Sequence, residues 1–120
     1  MNQPLLFDRA VFRELRDELG EADTVEVLAA FLADTSGKLT LAANSGDRAM
    51  IKLEAHSIKS SAATFGFSEL SNLARQLEFS SATLPPEDLR KSVGGLRDAF
   101  EAVGQLAEAN LLNARHAMTA

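Results

Sequence analysis

Residues 55–66 read AHSIKSSAATFG, a run of small and apolar residues that contains one histidine, His56. At about 100° of rotation per residue, a helix through this stretch collects its apolar residues on one face. The residues on that face are Ile51, Ala55, Ile58, Ala62 and Phe65. His56 points away from them. The pattern predicts an amphipathic helix that buries the apolar face and leaves the imidazole in solvent.

The side of this helix that carries His56 has two lysines and otherwise only small side chains. Its members lie within two turns of His56: Ala49, Lys52, Lys59, Ser60 and Ala63. Small side chains let another surface come close, and the lysines add positive charge beside the imidazole. We therefore interpret this side as the place where another protein approaches His56.

The size and composition of the chain are typical of one globular domain. Of its 120 residues, 46% are hydrophobic. We expect a single domain over residues 1–120, with a core of about 5–112 and a frayed C-terminal tail. The absence of cysteine excludes disulfides, thiolate metal sites and a cysteine nucleophile. A net charge of −5 argues against binding to nucleic acid, which needs a basic surface.

No segment of the sequence has the character of a membrane span or a signal peptide. No apolar run approaches the ~20 residues that cross a bilayer. The first ten residues, MNQPLLFDRA, lack the pattern of a secretory signal. We expect no membrane insertion and a cytoplasmic location.

Capping residues and glycines divide the chain into five helices. Asp8 caps a short first helix, and Gly20 stops it. Residues 23–26, DTVE, resemble a capping box that opens the second helix. The remaining boundaries are predicted from residues typical of helix ends: Ser45, Gly46 and Asp47 before the third helix, Gly66 and Ser68 before the fourth, and Pro86 in the first turn of the fifth.

Apolar residues recur in steps of three and four along each helix, which is the period of an α-helix. The predicted core positions outside the third helix are Val11, Phe12, Leu15, Leu19, Leu28, Phe31, Leu32, Leu39, Ala42, Leu70, Leu73, Ala74, Leu77, Leu89, Val93, Leu96, Phe100, Val103 and Ala107. At Gly94 and Gly95, inside the last helix, we expect a kink or a close backbone contact. Short connections join antiparallel neighbours. The sequence therefore predicts an all-α fold, an up-and-down antiparallel four-helix bundle with the short additional N-terminal helix across one end.

The segment from His56 to Ser61, closed by Phe65 and Gly66, resembles the phosphorylation motif of histidine-containing phosphotransfer (HPt) domains. That family usually shows H-x-[LI]-K-G-[SA]-[SA], then an apolar residue and a glycine ten positions after the histidine. The chain departs from the motif at Ser60, where the family usually has glycine. The likeness extends to residues 70–78 and to Phe31-Leu32, and it covers roughly residues 5–112.

This resemblance implies a phosphorelay intermediate without kinase activity of its own. His56 would accept a phosphoryl group from a receiver-domain aspartate and pass it to another receiver aspartate, in either direction. The partners implied are receiver domains of response regulators or of a hybrid sensor histidine kinase. The receiver would bring the Mg²⁺, so this chain needs no cofactor and no metal site of its own. We expect a monomer.

The resemblance also suggests roles in phosphotransfer for the residues around His56. Lys59, one turn away, would offset the charge of the phosphorylated ring. Either Glu78 or Gln76, returning on the next helix of an antiparallel hairpin, would hold the imidazole in one tautomer. The docking candidates are Ala49, Lys52, Ser60 and Ala63.

Two other interpretations of the chain stay open. One is a non-catalytic helical adaptor that binds a signalling partner through the same face, and the other is the last module of a larger sensor kinase. It is not itself a kinase, because no Gly-rich nucleotide motif is present. The second histidine, His116, lies in the predicted tail, and we assign it no role.

Overall fold

A computed structural model describes residues 5–112 of the chain, and this part contains five α-helices and no strand. The helices are α1 (Arg9–Leu19), α2 (Glu21–Ser45), α3 (Arg48–Phe65), α4 (Ser68–Ser80) and α5 (Pro86–Leu106), and a π-helical segment (Ala107–Leu112) follows α5. Helices α2 to α5 form the bundle. The all-α fold class is therefore confirmed. No helix in the described part is long and apolar enough to cross a membrane.

Local side-chain caps begin two of the helices as the sequence predicts. The Asp8 carboxylate accepts hydrogen bonds from the backbone N–H groups of Ala10 and Val11 at the start of α1. Asp47 does the same for Ala49 and Met50 at the start of α3. These bonds satisfy N–H groups that have no partner within the helix.

The predicted capping box at residues 23–26 is wrong. Helix α2 begins two residues earlier, at Glu21, directly after Gly20. Thr24 is fully buried inside the first turn, and its hydroxyl donates to the Gly20 carbonyl at 2.6 Å. Asp23, the predicted cap, therefore lies inside the first turn of α2, and in the described part of the chain no side chain caps this helix.

The predicted Ser68 cap is also wrong. Phe67 is the residue that precedes α4, and no side chain caps this helix. The N–H of Glu69, in the first turn, donates instead to the carbonyl of Leu5 at 2.7 Å. A backbone group from the N-terminal segment therefore replaces the side-chain cap, and sequence patterns along α4 carry no sign of it.

The bundle core contains the apolar faces predicted for α3 and α5. All five residues of the predicted α3 face are buried, and Leu28 of α2 and Leu70 of α4 are fully buried against them. Phe31, Leu32 and Leu73, predicted core positions, are only partly buried at the edge of this core. Leu19, another predicted core position, is exposed in the last turn of α1.

Helix α1 and the segment before it pack against the turn between α3 and α4, at one end of the bundle, as predicted. The N–H of Asp8 donates to the Gly66 carbonyl at 2.7 Å. Phe7 packs on Phe12 and Phe67, with ring centroids 5.6 and 5.7 Å apart. Gly66 has a φ of 89°, and a Cβ at this residue would lie 2.5 Å from the Asp8 carbonyl oxygen. Only glycine fits this turn.

The close backbone contact predicted at Gly94 and Gly95 is wrong. Helix α5 runs without interruption through both residues, and a Cβ at either would meet no atom within 4 Å. The irregular hydrogen bonding of this helix lies at its end instead, in the π-helical segment. The predicted frayed tail, which includes His116, lies outside the described residues.

Candidate functional site

His56 lies in the middle of α3, on the face opposite the buried residues. Its side chain is 58% exposed, whereas its neighbours Ala55 and Ile58 are buried. Helical rotation accounts for the difference, because His56 lies about 100° from Ala55 and about 200° from Ile58 around the helix axis. The imidazole is therefore accessible from solvent while the backbone that carries it is fixed by the core.

The Glu78 carboxylate holds one nitrogen of this imidazole. His56 Nδ1 lies 2.7 Å from Glu78 Oε2. The two residues are 22 positions apart, and the two-residue turn between α3 and α4 brings them level in an antiparallel hairpin. Gln76, the competing candidate, is exposed, and among residues 5–112 its side chain makes no hydrogen bond to His56. The structure thus brings Glu78, and not Gln76, to the imidazole.

Lys59 contacts the other oxygen of the same carboxylate. Its Nζ lies 2.9 Å from Glu78 Oε1, and Lys59 and Glu78 are 30% and 21% exposed. The pKa of the Glu78 carboxyl is lowered, first by the hydrogen bond from Lys59 and then by the one from His56. Glu78 is consequently ionised at neutral pH and can only accept hydrogen bonds. In the neutral form of the imidazole, the proton of this hydrogen bond therefore lies on Nδ1 and the lone pair lies on Nε2.

Ser71 links α4 to α3 beside this arrangement. It was not assigned a role from the sequence. Its hydroxyl, on α4, donates to the backbone carbonyl of Lys59 on α3 at 2.8 Å. The bond joins the two helices one turn from His56. Ser71 lies seven residues before Glu78, which places both on the same face of α4. That spacing was the available signal in the sequence.

The four docking candidates all lie on the exposed surface of α3 around His56: Ala49, Lys52, Ser60 and Ala63. Within residues 5–112, Lys52 makes no ion pair. Two large apolar side chains that the sequence analysis overlooked are also exposed nearby. Leu53, one turn before His56, is 65% exposed, and Phe79, directly after Glu78, is 80% exposed.

The family model for the Hpt domain matches residues 12–106, which is most of the chain. The chain belongs to the Hpt domain family. No curated protein and no solved structure gives a significant match to it. Hpt domains transfer phosphoryl groups through a histidine in phosphorelays, where they interact with receiver domains, and they are phosphocarriers and not kinases.

The chemistry available to this Hpt domain is that of an oriented imidazole on an open surface. An imidazole nitrogen with a free lone pair is a competent nucleophile near pH 7. Among residues 5–112, no group of three or more His, Asp or Glu side chains could hold a metal ion. The arrangement therefore offers a nucleophile, a carboxylate that fixes its tautomer and an ammonium group one turn away.

Proposed function

We propose that His56 of this Hpt domain accepts a phosphoryl group from a receiver-domain aspartate and passes it to a second receiver aspartate. The observation that carries the proposal is the bond between Glu78 and His56 Nδ1 on an exposed side chain, which leaves Nε2 as the nitrogen that would take the phosphoryl group. In the accepting step, Nε2 forms the N–P bond while the acyl-phosphate O–P bond breaks. The aspartate leaves as a carboxylate, and the proton on Nδ1 stays in its bond to Glu78. The reverse sequence returns the phosphoryl group to a receiver.

Glu78 and Lys59 have distinct proposed roles in this reaction. Glu78 orients the imidazole and stabilises the positive charge that the ring acquires when Nε2 is phosphorylated. Lys59 would stabilise the phosphoryl oxygens. A charge pair at about 4 Å is worth roughly 1 kcal/mol in water and about 4 kcal/mol at an intermediate dielectric. Because Lys59 is partly exposed and already shares its charge with Glu78, we expect it to tune transfer.

The receiver domain is proposed to dock on the surface around His56. The small side chains of Ala49, Ser60 and Ala63 would let its aspartate approach the imidazole, and Lys52 would meet acidic groups of the receiver. Leu53 and Phe79 would add apolar contact area on either side of the imidazole. Mg²⁺, which neutralises phosphoryl charge during transfer, would be held by the receiver.

The test of this function is phosphoryl transfer from receiver domains that have been charged with acetyl phosphate and Mg²⁺. Wild-type protein should gain acid-labile, base-stable phosphate. His56→Gln should gain none while its helical circular dichroism is unchanged, and His116→Gln, the matched control, should behave as wild type. Phosphate on the His56→Gln variant would contradict the proposal.

The adaptor function is the second candidate, and the exposed Leu53 and Phe79 side chains favour it. An apolar surface of this kind binds a protein whether or not phosphate is transferred. An adaptor would bind its receiver with equal affinity as wild type and as His56→Gln, and neither protein would take up phosphate. A cytoplasmic location, a monomeric state and a single domain over residues 1–120 stay predictions.

A further inference from the structure

A cleft of about 450 Å³ lies away from His56, where the end of α2 and the start of α3 face the first half of α5. Its apolar wall includes the buried residues Ile51, Leu89 and Val93. Its remaining wall includes three arginines, one from α3 and two from α5: Arg48, Arg90 and Arg97. The volume is within the range of small-molecule sites, about 300–1,000 Å³.

The charge of this cleft is opposite to that of the chain. The net charge of the protein is −5, yet no Asp or Glu side chain lines the cleft. Within residues 5–112, none of the three arginines is in an ion pair. Asp47 at the start of α3 and Glu87 in the first turn of α5 are close in sequence but do not line it. In the described part of the chain, no carboxylate therefore holds any of the three guanidinium groups within ion-pair distance.

One of the three guanidinium groups is already held in place. Arg48 Nη1 donates to the backbone carbonyl of Ser81 at 2.8 Å, and Ser81 is buried. This bond uses one of the five N–H donors of Arg48 and restrains the position of its guanidinium group. The two arginines on α5 are seven residues apart, so helical rotation places them on the same face. Guanidinium groups bind carboxylate and phosphate oxygens through paired hydrogen bonds.

We propose that this cleft binds a small organic anion, with an apolar body against Ile51, Leu89 and Val93 and a phosphate or carboxylate group on the arginines. The site is separate from the phosphotransfer site and does not depend on it. An inorganic anion would contact the arginines alone and a neutral apolar molecule would contact the apolar wall alone, so a ligand with both parts should bind more tightly than either.

The probe for this site is 1-naphthyl phosphate, titrated into ¹⁵N-labelled protein and followed by amide chemical shifts. The shift changes should map to residues 43–48 and 90–97. Inorganic phosphate and 1-naphthalenemethanol should each bind at least roughly tenfold more weakly, because each lacks one half of the contacts. Equal affinity for either fragment, or shift changes that map elsewhere, would overturn the proposal.

Matched variants on α5 separate the site from general charge effects. Arg97→Gln should weaken naphthyl phosphate binding about tenfold, since it removes a charged donor. Lys91→Gln removes the same charge from the same helix but does not line the cleft, and it should bind as wild type. Equal weakening by both variants would mean non-specific attraction and would overturn the site.

A second pair of variants fills the cleft without changing its charge. Gly94 lines the cleft, and a Cβ there meets no atom within 4 Å, so Gly94→Leu should fold and occupy the space of the ligand. Gly95→Leu makes the same change on a neighbouring residue outside the cleft. Binding lost in Gly94→Leu and kept in Gly95→Leu supports the proposal. Binding kept in both would overturn it.

Discussion

At the scale of single residues, one carboxylate organises the site. Glu78 bonds the imidazole of His56 through Oε2 and the ammonium of Lys59 through Oε1. The exposure of His56 was predictable, because it follows from helical periodicity and the five buried residues opposite. The position of Lys59 was not, because a long flexible side chain can reach several partners and periodicity does not rank them.

The apolar positions of α4 bear on the choice between Glu78 and Gln76, which the sequence pattern around His56 left open. Both residues lie on α4 close to the level of His56, but they are about 200° apart around the helix axis. Only the rotation of α4 about its own axis decides which of them faces α3. That rotation is set by the burial of Leu70, Ala74 and Leu77 in the core.

The double role of Glu78 leads to a prediction about its ionisation. The first cause of its lowered pKa is the hydrogen bond from Lys59. Lys59→Ala should therefore raise the pKa of Glu78 towards its ordinary value of 4.5, measured by NMR titration of the carboxyl carbon. The control Lys52→Ala should leave this pKa unchanged. An unchanged pKa in Lys59→Ala would show that the pair does not form in solution.

The ionisation of Glu78 also makes the stability of the fold depend on pH. Because the folded-state pKa of Glu78 is lowered, its stabilising contribution is fully present above the ordinary pKa. The contribution is lost as the pH falls through the lowered folded-state pKa. In Lys59→Ala, the loss of unfolding free energy at low pH that is due to Glu78 should be smaller. Phosphoryl transfer should slow in the same variant without being abolished, because His56 and Glu78 are both retained and Lys59 is proposed only to tune the reaction.

At the scale of helices, the boundaries that depend on a local side chain were predictable and those that depend on distant backbone were not. Asp8 and Asp47 cap the helices that directly follow them, so sequence alone identifies them. The start of α4 is satisfied by the carbonyl of Leu5, more than sixty residues earlier. Ser68 matches the local pattern of a cap, but the Leu5 carbonyl, and not the Ser68 side chain, accepts the hydrogen bond from the first turn of α4.

The turn between α3 and α4 gives a prediction at this scale. Gly46 and Gly66 both have positive φ, at 67° and 89°, but only Gly66 has another backbone atom in the path of a Cβ. Gly46→Ala should cost about 1–2 kcal/mol of unfolding free energy. Gly66→Ala should cost clearly more, because the Asp8 carbonyl must move away. Urea denaturation measures the unfolding free energy of both variants. Equal losses would contradict the prediction, because they would mean that the segment containing Asp8 moves away from the new Cβ without loss of stability.

At the scale of the whole molecule, the bundle presents two separate faces. The surface around His56 on α3 and α4 is exposed and carries the proposed phosphotransfer site, whereas the arginine-lined cleft lies between α2, α3 and α5. The all-α fold and the buried face of α3 could be predicted because amphipathic periodicity determines both. The cleft could not, since it depends on how far apart three helices stand at one end of the bundle.

The surface around His56 leads to a prediction about docking. Ser60 and Ala63 are exposed and small, and interfaces pack as tightly as protein interiors. Ala63→Arg and Ser60→Phe should therefore suppress phosphoryl transfer from a charged receiver by tenfold or more, on the order of 1.4 kcal/mol or above. Thermal unfolding of both variants should match wild type. Ala29→Arg, the same change on the exposed side of α2, is the control and should transfer normally.

Two results would contradict this account of the docking surface. Loss of folding together with transfer would mean that Ser60 and Ala63 belong to the core. Normal transfer in both variants would mean that the receiver docks elsewhere.

The most direct measurement of the central claim is the position of the phosphate on the imidazole. Because Glu78 engages Nδ1 of His56, the phosphoryl group should form its bond to Nε2. The protein, labelled with ¹⁵N in its histidines and phosphorylated by a charged receiver, should show phosphorus coupling to Nε2 of His56 alone. Coupling to Nδ1, or phosphate on any residue other than His56, would contradict the account.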